Sequence, residues 1–486
     1  MRQYDWSTSQ RQPLAGLTIV FLDTLWEVFK RAWPFLILML FGESKEGKVN
    51  RYEILAMGLL VFTIIGAVFR FLYFRFYIED AKLIIKHGWL KKETKVIPLE
   101  RIQTVNIEQG PLHQLLNIVK LSIDTAGSEK AEAKIDALHK TMAEALRMRL
   151  IADKRESSTD EQNSRKANPI LTLTDKDLFK LSISANHVET FFLFLSFVFG
   201  LYENFKDIDN SIFSNIQDFL PKNVIYPFLF LTVAILLITI VLSTARIFFK
   251  FYRFTVFSSS KGFQIKSGLF NIKERLITFQ KIQFISWKAS WIRKLFGLWM
   301  LEYHVAGADE TSKNLKVQLP VTQAAYIPLL VKDYHDFPQI TNQIHIRIHP
   351  SFIVRRLLMV GLLPALFILP LLWALSNAYA LFFLLYPLII FIVARCTQWK
   401  FRLWALEDAC YIKKGVFGEE RILFEWHKLQ SIQIRQSIYQ RRKNLASVDI
   451  QTAGGNIAVH FIPLAAARQV VNFALYKTEV ANKSWL

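Results

Sequence analysis

The sequence predicts an α+β membrane protein. Six transmembrane helices in three pairs are expected, each pair followed by a small β-sandwich or barrel with a closing C-terminal helix. Three observations predict this: apolar runs come in pairs, basic residues gather in the long segments between pairs, and one strand-rich block recurs three times in register.

The spans follow from composition. The chain has 486 residues, is 52% hydrophobic with 41 Phe and 12 Trp, and carries a formal net charge of +20. Such a chain separates into bilayer-buried and basic segments. A nucleic-acid binder would also be basic, but it has no use for stretches such as "FFLFLSFVFG". The apolar runs are Leu14–Phe41 with Ile54–Phe74, Val188–Tyr202 with Val224–Phe249, and Ile353–Leu375 with Ala378–Ala394. About 20 apolar residues cross the hydrocarbon of a bilayer, so each run is read as one span. In the first run Asp23, Glu27, Lys30 and Arg31 share one helical face, and Leu22, Leu25, Trp26, Phe29 and Trp33 take the other. That pattern fits an interfacial stretch that enters the bilayer near Pro34.

Orientation follows from charge. Connections within pairs are short, whereas those between pairs are long and carry most of the Lys and Arg. Arg70, Arg75, Arg246, Lys250, Arg355, Arg356, Arg395 and Lys400 flank the spans. The positive-inside rule therefore places the long segments and both termini in the cytoplasm. The opening "MRQYDWSTSQRQ" is polar, unlike a secretory leader. Cys396 and Cys410 form no CxxC or Cys/His cluster and read as thiols in a reducing compartment.

The recurring block is defined by three landmarks. A glycine follows a short strand-like run at Gly88, Gly268 and Gly415. A glutamine lies 15 residues on, at Gln103, Gln283 and Gln430, and the glycine of an Ala-Gly pair lies 24 residues further, at Gly127, Gly307 and Gly454. A lysine precedes the first glycine by two (Lys86, Lys266, Lys413), and a basic residue precedes the glutamine by two (Arg101, Lys281, Lys428). The first glycine is expected to serve a hairpin turn that needs positive φ. Strands such as "KLSIDTAG", "LKVQLP" and "IAVHFIP" are followed by amphipathic helices, the clearest expected around Ala137–Ile151. Strands closed by one helix make a small sandwich or plugged barrel.

The order glycine, [Arg/Lys]-[Ile/Leu]-Gln, Ala-Gly after two membrane spans resembles the bacterial pleckstrin-homology-like (PH-like) membrane proteins of the YdbT type. "RRKNLASVDIQTAGG" in the third copy is the best match. The resemblance implies a PH-like fold for each block, a bacterial cell (inner) membrane location, and no enzyme activity. On this reading residues 1–75 hold the interfacial helix and the first span pair, 76–152 the first PH-like domain and 153–168 a polar linker. Residues 169–250 hold the second span pair, 251–340 the second domain, 341–399 the third span pair and 400–486 the third domain. The middle copy departs most, with "FISWKASWIRKLFGLWM" and with Thr278 where the first has Pro98.

Two sets of candidate residues emerge. The glycines and glutamines named above read as structural signatures of the repeat. The basic residues read as lipid or ligand contacts: Lys86, Lys91, Lys92, Lys95 and Arg101 in the first copy, Lys266, Lys281, Arg293 and Lys294 in the second, and Lys413, Lys428, Arg441, Arg442 and Lys443 in the third. Each cation beside an anionic leaflet gains about 1 kcal/mol. No GxxxxGK[ST], GxSxG or HExxH string occurs, and Glu100, Glu108 and Asp124 do not recur across the copies, so no enzyme and no cofactor are expected. His345 and His349 lie four apart, but Pro350 breaks the helix that a metal pair would need. The expected function is a scaffold that binds anionic phospholipid or a protein partner, such as a smaller family member, in envelope maintenance or stress. A transporter or lipid-handling protein ranks second, because the spans after the first carry few polar residues.

Overall fold

The computed structural model describes residues 4–41, 51–88, 92–125, 133–152, 169–185, 187, 190–196, 200, 225–259, 262–305, 316–321, 323–332, 334–336, 345–375, 383 and 385–481. Lys91, Gly127, Gly307 and the linker 153–168 lie outside them. The chain divides into two compact units, Met1–Thr172 with Arg253–Thr278, and Leu173–Tyr252 with Phe279–Leu486.

Mixed helix and sheet is the architecture of both. Long helices cover Ala15–Phe41 and Arg51–Leu72 in the first unit, and Ile225–Phe251 and Leu385–Lys400 in the second. Also in the second, Ser351–Arg356 continues through a π-helical turn, Leu357–Leu362, into Leu363–Leu375. Among the described residues Val233–Phe251 and Ser351–Pro370 are long and apolar enough to cross a membrane, and Val61–Leu72 is a shorter apolar helix. The helix Ala15–Phe41 runs unbroken through Pro34, with Lys30 over the Trp26 ring at 5.2 Å.

Among the described residues the strands form six three-stranded antiparallel meanders, two from each repeat. The first repeat supplies β1 (Arg75–Glu79), β2 (Lys82–His87) and β3 (Glu93–Pro98), then β4 (Ile102–Gln109), β5 (Ile118–Thr125) and β6 (Ala133–His139). A two-residue strand β7 (Leu171–Thr172) precedes the second repeat. That repeat supplies β8 (Thr255–Ser259), β9 (Gly262–Ser267) and β10 (Ile272–Thr278), then β11 (Ile282–Ala289), β12 (Trp299–Val305) and β13 (Lys316–Val321). The third supplies β14 (Arg402–Ala405), β15 (Ala409–Lys414) and β16 (Glu419–Glu425), then β17 (Leu429–Arg435), β18 (Leu445–Thr452) and β19 (Gly455–Pro463).

These meanders do not stay within their repeats. One sheet runs β6-β5-β4-β10-β9-β8-β7 and another β13-β12-β11-β16-β15-β14, while β1-β2-β3 and β17-β18-β19 remain three-stranded. The second meander of one repeat is thus hydrogen-bonded to the first meander of the next. The joint is β4–β10 in the first unit and β11–β16 in the second.

Within the first repeat, both meanders and a helix enclose one core. Phe76, Leu83 and Ile97 pack with Val105, Leu121 and Ile135 and with Ala143 and Leu146 of the helix Lys140–Ala152. The third repeat does the same with Leu403, Ile412, Val448 and Val459 against Ala467, Val470 and Ala474 of the helix Leu464–Val480. The first closing helix starts later than its sequence suggests. Ala137–His139 belong to β6, where Ala133, Ile135 and Ala137 alternate inward with a period of two, as a strand requires.

Local chemistry sets the turns. Gly88, Gly268 and Gly415 have φ of 98°, 113° and 148°, a region that a Cβ disfavours. The recurring glutamine marks a bulge. Pairing slips between Ile102 and Thr104, Ile282 and Phe284, and Leu429 and Ser431, leaving one extra residue at Gln103, Gln283 and Gln430. A further landmark escapes the sequence reading. Asn117, Gly297 and Asn444, each 29 residues after its glycine, have φ of 51°, 70° and 50°. Asn and Gly are the residues that tolerate this left-handed backbone, so their spacing was the available signal. Replacing Asn444 with Ile is expected to lower stability by about 1–2 kcal/mol, and replacing it with Gly to leave stability nearly unchanged. Thermal unfolding of the detergent-solubilised chain measures both.

Candidate functional site: sheet joints and an apolar–basic rim

The candidate basic residues divide by environment. Lys86, Lys92, Lys95, Arg101, Lys266, Arg441, Arg442 and Lys443 are exposed. Lys86 lies 5.1 Å from the Tyr77 ring. Lys281 is half-buried. Lys428 is buried, and its Nζ donates to the Gln280 carbonyl at 2.8 Å. Lys294 and Lys413 converge on Glu419, together with Arg421. Lys428, Lys294 and Lys413 therefore serve the β11–β16 joint of the second unit.

Glu419 is the centre of that joint. It opens β16 and sits opposite Ala289 of β11. Its carboxylate accepts from Lys294 and from Arg421 Nε at 2.5 Å, with Lys413 Nζ at 3.3 Å. Burial alone would raise its pKa. The hydrogen bonds from Lys294 and Arg421 and the charges of Arg421 and Lys413 outweigh burial and hold it at about 2. Tyr334 closes the other end, donating to the Gln283 carbonyl at 2.8 Å while the Glu425 N–H donates to its hydroxyl at 3.2 Å.

His304 of β12 is a buried titratable group of this unit. Its ring stacks on Phe284 with centroids 3.8 Å apart, and Nε2 lies 3.0 Å from Ser286 Oγ. Burial first, then the charge of Lys316, lowers its pKa to about 4, against a weaker opposing pull from Glu302.

The first unit has a joint of the same plan. Lys273 of β10 faces Glu108 of β4, Nζ to Oε1 at 3.3 Å. Buried Arg147 reaches Glu274 at 3.1 Å. Gln114 Nε2 donates to the Leu269 and Phe270 carbonyls, each at 2.9 Å, in the β9–β10 turn.

A second feature is a rim of exposed apolar residues beside basic ones. A short helix follows the bulged strand in every repeat: Pro111–Leu115, Trp291–Leu295 and Ile438–Arg442. Pro111 at the first position, Ser290 as N-cap and a Ser437–Gln440 capping box start them. Leu115, Trp291, Leu295 and Ile438 project from them, 81%, 62%, 78% and 79% exposed. In the second unit the β15–β16 turn carries exposed Phe417. Lys400, the last residue of the apolar helix Leu385–Lys400, donates to the Val416 carbonyl at 2.6 Å. This bond ties the turn to the end of an apolar helix that also bears exposed Trp399.

Paired meanders around a core, a closing helix and apolar helices at the entry define a repeated PH-type module associated with apolar helices. Residues 34–154, 212–334 and 356–478 match the bacterial PH domain family, and the chain belongs to that family. It is also similar to the UPF0699 transmembrane protein YdbT of Bacillus subtilis (strain 168), with 24% identity over 433 residues, 85% of this chain and 86% of that protein.

Two predictions concern the second unit. The depressed His304 pKa makes the fold bind fewer protons than the unfolded chain. Stability present above pH 6.5 is therefore lost as pH falls towards 4, by about 3 kcal/mol. His304→Gln removes that slope in pH-dependent unfolding followed by limited proteolysis. Glu419→Gln is expected to cost about 2 kcal/mol at pH 7. Its difference from the native chain closes as pH falls from 4.5 towards 2, since protonation then discharges the native carboxylate as well.

Proposed function

We propose that this chain is a multi-pass protein of the bacterial cell membrane with six spans in three pairs. Its three PH-like domains and both termini lie on the cytoplasmic side. The domains bind the membrane surface through anionic lipid and act as a scaffold, not as an enzyme. The observation that carries the reading is the Lys400 tether, which holds the Phe417 turn at the end of an apolar helix beside Trp399. An exposed aromatic at the end of a membrane helix belongs at the headgroup level. In the same unit Lys294 joins the helix bearing Trp291 and Leu295 to Glu419, two residues beyond Phe417. Apolar tips beside Arg441, Arg442 and Lys443 combine burial in the interface with attraction to anionic headgroups. Three such sites on one chain add avidity to contacts that are weak singly.

Of the hydroxyls in the span Ile225–Phe251, Thr239 donates to the Ile235 carbonyl at 2.6 Å and Ser243 to that of Ile240 at 3.1 Å within their own helix, and Ser243 Oγ also contacts His187 Nδ1. One such contact gives little support to a transport path.

The test uses the full chain in nanodiscs, with Cys396→Ser in the background. Spin labels at positions 295 and 417 are expected to be relaxed by oxygen, the lipid-phase agent, and a label at 433 by a water-soluble nickel chelate. Water-like behaviour at 295 and 417 removes the reading. Neutralising Arg441, Arg442 and Lys443 to Gln is expected to lower co-purified anionic lipid at least fivefold, since each cation contributes about 1 kcal/mol and about 1 kcal/mol is a fivefold change.

A further inference from the structure

We propose that copies of this chain assemble head to tail, the β17 edge of one pairing with the β3 edge of the next. The pairing repeats the joint that the chain already makes twice within itself.

The argument begins with strand edges. Every repeat covers the outer edge of its first strand with its own preceding segment. Gln10 bridges Phe76 of β1, β7 pairs with β8, and Ile346 bridges Leu403 of β14. In the joints β4 takes β10 and β11 takes β16, while β6, β13 and β19 end their sheets at the far side of each second meander. Of the strand types that make joints, this scheme leaves one donor-side strand, β17, and one acceptor-side strand, β3. Among the described residues each is paired on one side only. They are the equivalents, in the terminal repeats, of the strands that form the two joints. An exposed strand edge is a template for another strand, and here its complement is carried by the same sequence.

The register supports the match. Glu108, Lys288 and Arg435 each lie 20 residues after their repeat's glycine, and Glu93, Lys273 and Glu420 each lie five after it. In the first joint Glu108 faces Lys273, and in the second Lys288 faces Glu420. The two joints therefore share one register, and both set opposite charges at this position. Extended to the free edges, that register sets Arg435 opposite Glu93, again opposite in charge. It also sets Ile434 opposite Thr94 and Ile432 opposite Val96. In the isolated chain Arg435 pairs with Asp449 at 2.9 Å and Glu93 lies 3.9 Å from His87, so both side chains are already held near their edges.

Burial points the same way. Val96 of β3 is 49% exposed, whereas its joint-forming equivalent Leu423 is fully buried; Ile434 of β17 is 37% exposed, whereas its equivalent Trp287 is fully buried. In the β11–β16 joint both positions are covered, and in the first joint Ile107 is buried and Leu276 half-buried. The occupant is a second copy of this chain, because its β3 edge offers the matching register and charge. The contact is heterologous, so it extends to a row or closes into a ring.

The experiment is oxidative cross-linking of the full chain in native membranes, in a Cys396→Ser background. E93C/R435C is expected to give a ladder of dimer, trimer and higher species on non-reducing gels. Separately substituted E93C and R435C chains, co-expressed, are expected to stop at a dimer. T94C/R435C, out of register, is expected to give at least tenfold less product. Charge reversal at either site, E93R or R435E, is expected to reduce assembly of the otherwise native chain at least tenfold by mass photometry, and E93R/R435E to restore it. Recovery by the double reversal shows that the single variants fold. A monomer in all cases, a disulfide closed within one chain, or no rescue by the double reversal overturns the proposal.

Discussion

Backbone polar groups along a strand edge must be satisfied, and this constraint organises the whole β structure. A three-stranded meander has two edges. In each first meander the leading segment covers the outer edge, and in the second and third repeats the other edge pairs across to the preceding repeat. Each joint adds antiparallel main-chain hydrogen bonds between strands that belong to different copies of the repeat. The middle repeat is consequently divided, its first meander bound into the first unit and its second into the second. This accounts for its divergence. Ile282–Ala289 runs buried at seven of eight positions, because both of its edges are paired and both of its faces are covered.

The basic character of the chain serves more than one end. Part of it stabilises the joints, where Lys294, Lys413 and Arg421 surround one carboxylate and Lys428 satisfies a carbonyl. A partly buried cluster of this kind tolerates no loss of its anion, because three cations would then face one another. The rest stays exposed on β2, β3, the turn at Arg101 and the last short helix. One location, the short helix after the bulge, combines both roles. Gln114 and Lys294 occupy equivalent positions on it and reach the next repeat, while the apolar residues beside them face outward.

Membership in the bacterial PH domain family carries the fold of each block and leaves the ligand to the surface. The parts of the apolar–basic rim are placed by short-range devices: a capped five-residue helix, a glycine turn and a lysine at a helix end.

The repeat and its turns were legible in the sequence because they depend on local chemistry. The φ values at Gly88, Gly268 and Gly415 need a glycine, and the bulge at the recurring glutamine falls at one spacing in every repeat. The division of the basic residues was not legible. Lys428 and Lys443 look alike in sequence, yet one is buried against a carbonyl and the other is exposed. Nor did the sequence show that β4 pairs with β10 and β11 with β16. Main-chain hydrogen bonds carry no residue signature, and the facing charges Glu108 and Lys273 lie 165 positions apart. Sequence alone determined what each repeat is, since turns, bulges and hydrophobic period act over a few residues. Only the tertiary structure decided which edges meet, since that depends on strands brought together across the whole chain.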